Sequence, residues 1–170
     1  MEEFKRKYFF RWLAAIIVFL FSAYLVAWFM APGSYARVET YEFEISEDSL
    51  ISIIESVKKE NPKLVLTEKV KIPRGQRFYI KEGRENKKFL DHWYYIYFYY
   101  PDKNEIVKTW TRPKTKNSTI FAFVGLNSSL TLGNWRMVNE SFWWWKNKPY
   151  KQEFEERILK KIKEKIKVEL

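Results

Sequence analysis

Hydrophobic positions follow three patterns along this chain, and the first is an unbroken block. Trp12 to Ala31 reads WLAAIIVFLFSAYLVAWFMA, twenty residues without a charge. At about 1.5 Å of rise per residue, a helix of that length covers roughly 30 Å, the hydrocarbon thickness of a bilayer. Inside lipid the backbone must satisfy its own hydrogen bonds, so the block predicts a transmembrane helix with Trp12, Ile16, Phe19, Leu20 and Trp28 as anchor residues. Tyr8, Phe9, Phe10 and Trp12 at one end and Tyr24, Trp28 and Phe29 at the other form aromatic belts suited to the headgroup level. Pro32-Gly33 then stops the helix.

Alternation and helical periodicity make up the other two patterns. Tyr41-Glu42-Phe43-Glu44-Ile45 alternates as a half-buried strand. Ser46 caps a following helix with Glu47 and Asp48 at its positive end, and Leu50, Ile51, Ile53, Ile54 and Val57 form the apolar stripe. Lys58, Lys59 and then Asn61-Pro62 close it. Strands are expected over Leu64–Val70, Arg77–Lys81 and His92–Tyr100. The last is joined through Pro101-Asp102-Lys103-Asn104 to Glu105–Arg112 as an antiparallel hairpin. Thr119–Leu126 is apolar on both faces and reads as a central strand, and Leu130–Val138 adds a bent one with Gly133 at the bend. From about Tyr150 to Val168, Phe154, Ile158, Ile162 and Ile166 recur every four residues, widened by Leu159, opposite a charged face. The predicted fold class is α+β. One N-terminal transmembrane helix precedes a small antiparallel sheet, with a helix before the main strands and a C-terminal amphipathic helix packed on one face. The organisation is a tail over 1–11, the span over 12–31, a linker over 32–40 and a folded domain over 41–170.

Charge sets the orientation. Lys5, Arg6, Lys7 and Arg11 precede the span, while Arg37 alone follows closely, so the N-terminus is expected in the cytoplasm and the domain outside it, at an inner (cytoplasmic) membrane. A cleaved signal peptide shares this pattern, and Ser34-Tyr35-Ala36 offers small residues at a cleavage-like spacing. Its apolar core usually runs about 7–15 residues, and the longer block here favours an uncleaved anchor. Cysteine is absent, so disulfides and thiol chemistry drop out, and a core must come from packing. Aromatic residues make up 19% of the chain, which predicts a ring-rich core.

Candidate chemistry is sparse. The single histidine, His92, lacks the partners that triads and metal sites need, and Asp91 beside it would point to the opposite strand face. None of the five glycines forms a phosphate loop. Glu42 and Glu44 could do acid–base work on a glycan, yet their alternation with Tyr41, Phe43 and Ile45 marks the wet side of a strand. No cofactor or metal is expected.

Surface candidates are richer. On the aromatic strand, Tyr94, Ile96, Phe98 and Tyr100 share one face and look like core. Trp93, Tyr95, Tyr97 and Tyr99 share the other, a ladder with apolar bodies and polar tips, suited either to an interface or to a second packed layer. Trp143, Trp144 and Trp145 cannot all face one core, so at least one is expected to meet the outer leaflet, a glycan or a partner protein. In the alternative, Trp143 and Trp145 wedge into the core and Trp144 lies flat on the surface.

The net charge is +10, and past the span basic residues cluster at Lys69–Lys71–Arg74–Arg77, Arg84–Lys87–Lys88, Arg112–Lys114–Lys116 and Lys146–Lys148–Lys151. For an exported domain these suit lipid headgroups, envelope polymers or an acidic protein rather than nucleic acid, or simply solubility. Three N-x-S/T sequons begin at Asn117, Asn127 and Asn139.

The expected function is a membrane-anchored, non-enzymatic binding or scaffold protein of the cell envelope. Its partners would be the membrane and an acidic envelope or membrane protein, or an envelope polymer, met through Trp93, Tyr95, Tyr97, Tyr99, Arg112, Lys114 and Trp143–Trp145. An envelope-stationed inhibitor or immunity protein is one alternative, and an enzyme acting on envelope polymers is another.

Overall fold

A computed structural model describes residues 2–29, 37–71, 75, 77–84, 92–131 and 133–169. The expected Pro32-Gly33 stop, the Ser34-Tyr35-Ala36 spacing, the last two residues of the apolar block, Arg74, Lys87, Lys88 and Asp91 lie outside them. The chain divides into two compact units, Met1–Ala36 and Arg37–Leu170.

The first unit is the helix α1 (Glu2–Phe29), of which Arg6–Phe29 is long and apolar enough to cross a membrane. Trp12, Ile16, Phe19 and Leu20 are exposed along it and Trp28 is partly so. Inside the apolar run the Ser22 hydroxyl donates to the Val18 carbonyl at 2.8 Å, so the helix satisfies it internally.

The second unit is α+β. Its main antiparallel sheet has six strands: β1 (Glu39–Phe43), β4 (Gly83–Arg84), β5 (Tyr94–Tyr100), β6 (Glu105–Thr115), β7 (Ser118–Ser128) and β8 (Trp135–Met137). The order is β1-β7-β6-β5-β4, and β8 shares the outer edge of β7 with β1. β1 begins at Glu39, inside the stretch expected to be linker. Asn104 takes the left-handed conformation (φ 52°) that the β5–β6 turn needs. β7 is internal, as its two-sided apolarity predicts, and a bulge opposite Lys108 and Thr109 leaves Val124 as the extra residue. At Gly125 a Cβ would come 2.3 Å from the Arg136 carbonyl oxygen, so only glycine lets β8 approach.

Helices cover one sheet face. α2 (Glu47–Glu60) is capped by Ser46, whose hydroxyl accepts from the Ser49 N–H, and ends where Asn61 returns its amide to the Val57 carbonyl. The C-terminal helix runs from Trp144, earlier than its stripe predicts, as α3 (Trp144–Phe154), a π turn (Glu155–Leu159) and α4 (Lys160–Glu169). A strict four-residue repeat drifts about 40° per step around a 3.6-residue helix. The wider π turn absorbs that drift, so Phe154, Ile158, Leu159 and Ile162 all stay buried. They meet Leu50, Ile53, Ile54 and Val57 of α2 and Phe98, Val107, Phe121 and Phe123 of the sheet. Phe154 stacks on Phe123 with ring centres 4.4 Å apart.

Residues 64–82 depart from expectation. Pro62–Leu64 forms a 3-10 turn that returns Leu64 to the core, where a strand from Leu64 would have carried the chain away. Among the described residues of this stretch β2 (Val70–Lys71) and β3 (Arg77–Phe78) pair antiparallel, apart from the main sheet, and Lys71 donates its N–H to the Leu130 carbonyl at 2.8 Å. This segment crosses part of the second sheet face. Leu66, Val70 and Ile80 pack there with Ile106, Leu130, Tyr97, Tyr99 and Trp135 as a small second core.

Candidate functional site

Two aromatic surfaces concentrate the residue types that bind. The first is the sheet face opposite the helices. The four-residue turn sets the hairpin register, with Tyr95 opposite Trp110, Tyr97 opposite Lys108 and Tyr99 opposite Ile106. Side chains alternate across a strand, so Trp93, Tyr95, Tyr97 and Tyr99 share this face with Trp110, Lys108 and Arg112. From the β7 edge Trp135 joins them, its ring centre 6.3 Å from that of Tyr97. Trp93 and Trp110 lie 6.3 Å apart.

Cations are set among these rings. The Lys108 ammonium lies 4.8 Å from the Tyr95 ring centre and 5.7 Å from that of Trp135, and the Arg112 guanidinium is 5.7 Å from the Trp110 ring. Lys114, two residues on, donates to both carboxylate oxygens of Glu42 at 2.6 and 2.7 Å. That pairing occupies one of the two acids with catalytic potential, and Glu44 is exposed.

The tyrosines are not equivalent. Tyr97 and Tyr99 belong to the small second core, and the Tyr99 hydroxyl donates to Asn104 at 2.9 Å. Burial pushes the Tyr99 phenol above its ordinary value. Trp93 and Tyr95 sit at the other end of the strand, partly buried, with the exposed His92 edge-on to Trp93. Among the described residues no three His, Asp or Glu side chains gather as a metal site.

The second surface is the run into α3. Trp143, Trp144 and Trp145 are 42%, 65% and 51% exposed, so the alternative in which Trp143 and Trp145 wedge into the core does not form. The core positions are taken instead by Phe154 and the residues of the π turn, while Asn147 is the buried residue of the first helical turn. Asn147 accepts from the Ser141 N–H and donates to the Ser141 carbonyl, pinning the loop that carries the rings. Beside them a cleft of about 560 Å³ opens between β8 and α3, with Arg136, Glu140, Lys146 and Tyr150 on its walls.

Lys108 and Trp135 complete the first surface above Trp110, which is itself buried at 3% exposure, and none of the three was singled out from the sequence. The signal for Lys108 and Trp110 was present, because the turn at Pro101–Asn104 dictates their partners on β5. Trp135 falls in the expected Leu130–Val138 strand, but no tight turn fixes the register that sets it opposite Asn127 of β7. Of the three sequons, only Asn117 is exposed. Asn127 is fully buried with its amide on the Thr131 carbonyl, and Asn139 is partly buried against Val38 and Glu39.

Comparison of the chain with protein-family models, with curated proteins and with solved structures returns no match to any of them.

Proposed function

We propose that this protein is a single-pass, membrane-anchored binding protein of the cell envelope, without catalytic activity. Its domain engages an acidic envelope or membrane protein through the sheet face that bears Tyr95 and Lys108. α1 is the anchor, and the basic residues before it favour a cytoplasmic N-terminus with the domain on the far side of an inner membrane.

One observation carries the reading: Lys108 is set between the rings of Tyr95 and Trp135, with Arg112 against Trp110 on the same face. Rigid rings supply contact area at small entropic cost, and their polar tips tolerate water in the unbound state. Cations among them select an acidic partner and speed its approach.

Photocrosslinking in the native host tests this. A photoreactive residue at position 95 should yield defined protein adducts, and one at the exposed Lys163 on the helical side should not. Adducts from 163 alone, or none from either position, would overturn the reading. Because the chain lacks cysteine, Lys116→Cys also reports sidedness through a membrane-impermeant maleimide, which should label it in spheroplasts.

A further inference from the structure

Phe142, Trp143, Trp144 and Trp145 form one ring cluster on the domain surface. Phe142 meets Trp143 edge-on at 4.9 Å, Trp143 stacks on Trp145 at 4.8 Å, and Trp144 meets Trp145 edge-on at 6.1 Å. Exposed tryptophans in such a contiguous group are costly in water unless something covers them. Lys146 and Lys148 are exposed within the next few residues.

The cluster lies at the end of the domain where the chain enters it. Asn139, in the turn just before the rings, donates its backbone N–H to the Arg37 carbonyl at 3.1 Å and its side-chain amide to the Val38 carbonyl at 3.2 Å. Lys151, two turns into the helix, pairs with Glu39 at 2.6 Å. Between Phe29, the last residue of α1, and Arg37 the sequence has only residues 30–36, which fully extended reach about 30 Å. The covalent chain alone therefore keeps Arg37, whose carbonyl accepts from Asn139, within that reach of Phe29.

On the reading that α1 crosses a membrane, we infer that Trp143, Trp144 and Trp145 seat in the headgroup layer of that membrane, with Lys146 and Lys148 on anionic headgroups. Indole rings combine an apolar body with a polar N–H and settle at this depth. Lysines beside them gain from the negative surface potential of anionic lipid. The contact fixes which end of the domain faces lipid and leaves the Tyr95–Lys108 surface for a protein.

Spin labels on single cysteines test this in the full chain, reconstituted in vesicles of phosphatidylcholine with phosphatidylglycerol. Labels go at Trp144→Cys, at Lys148→Cys (which keeps all three rings), at Leu20→Cys inside α1, and at Lys116→Cys on the β6–β7 turn. Accessibility to oxygen, which concentrates in lipid, is compared with accessibility to a water-soluble nickel chelate. The oxygen-to-nickel ratio at 144 and 148 should be several-fold that at 116 and below that at 20, and should fall when phosphatidylglycerol is omitted. A lipid value at 20 with a water-like value at both 144 and 148 would overturn this inference while leaving the anchor intact. Protection of 144 from both reagents would mean that protein covers the rings, which also overturns it. A water-like value at 20 would overturn the anchor, and this contact with it.

Discussion

Lys108 holds its ammonium 4.8 Å from the centre of the Tyr95 ring, its diagonal neighbour across the β5–β6 ladder. Such a contact is worth about 0.5–1 kcal/mol at an exposed site. Lys108→Met keeps the apolar stem and removes the charge, so it should lower stability by no more than about 1 kcal/mol in denaturant titrations. The same substitution should slow association with the partner, most at low ionic strength. Tyr95→Ala should weaken the complex by more than about 1 kcal/mol. Loss of folding without a separate binding defect would assign the pair to the core.

Tyr100 is fully buried beneath the Arg157 guanidinium, which lies 4.0 Å from its ring centre, and its hydroxyl finds no hydrogen-bond partner among the described residues. Tyr100→Phe should therefore leave stability unchanged or raise it by up to about 1 kcal/mol, since a buried hydroxyl without a partner only costs. Burial, with the nearby Glu153 carboxylate, pushes this phenol far above its ordinary value. The folded state thus keeps a proton that the unfolded state releases near pH 10. This group therefore leaves stability independent of pH below that value and lowers it as pH rises above it. Tyr100→Phe should flatten the alkaline limb of a stability–pH curve, and an unchanged limb would exclude Tyr100 as its source.

On α2, Lys58 is buried against the Phe98 ring and pairs with Glu82. Burial draws its ammonium below the ordinary lysine value although Glu82 pulls the other way. Glu82→Gln should destabilise by about 1–2 kcal/mol, short of a fully buried pair because water screens the more exposed carboxylate. Lys58→Met should be neutral or stabilising, because a buried ion pair often contributes no more than apolar packing of the same volume. Equal losses from both substitutions in thermal unfolding would show that the pair itself stabilises the domain.

The π turn at Glu155–Leu159 absorbs one residue more than a regular helix needs. Deleting the exposed Glu156 would place the buried positions at the i, i+3, i+4, i+7 spacing of an ordinary amphipathic helix. The deletion should leave a cooperatively unfolding domain with its far-ultraviolet circular dichroism unchanged. An unfolded product would mean that the π geometry itself is required.

Much of this architecture follows from local patterns. The uncharged block makes a helix long and apolar enough to cross a membrane, and Ser46, Asn61-Pro62 and the Pro101–Asn104 turn bound their elements through backbone chemistry that acts within a few residues. The division of β5 into a buried face and an aromatic face follows from strand alternation alone. Even the π turn is implicit in a repeat of four where a helix wants 3.6.

Long-range packing decided the rest. Nothing local in residues 64–82 announces that Leu66, Val70 and Ile80 pack on the second sheet face, so the packing of Tyr97 and Tyr99 on a second core could not be read from their alternation. Trp135 reaches that face only because Gly125 lets β8 close onto β7. Trp143–Trp145 lie exposed while Phe154, Ile158 and Ile162, far along the same helix, fill the core. Periodicity says which side chains share a face, because it is a property of the local backbone. What covers a face is settled by segments distant in sequence, whose docking depends on the total fit of the core and leaves no local signature.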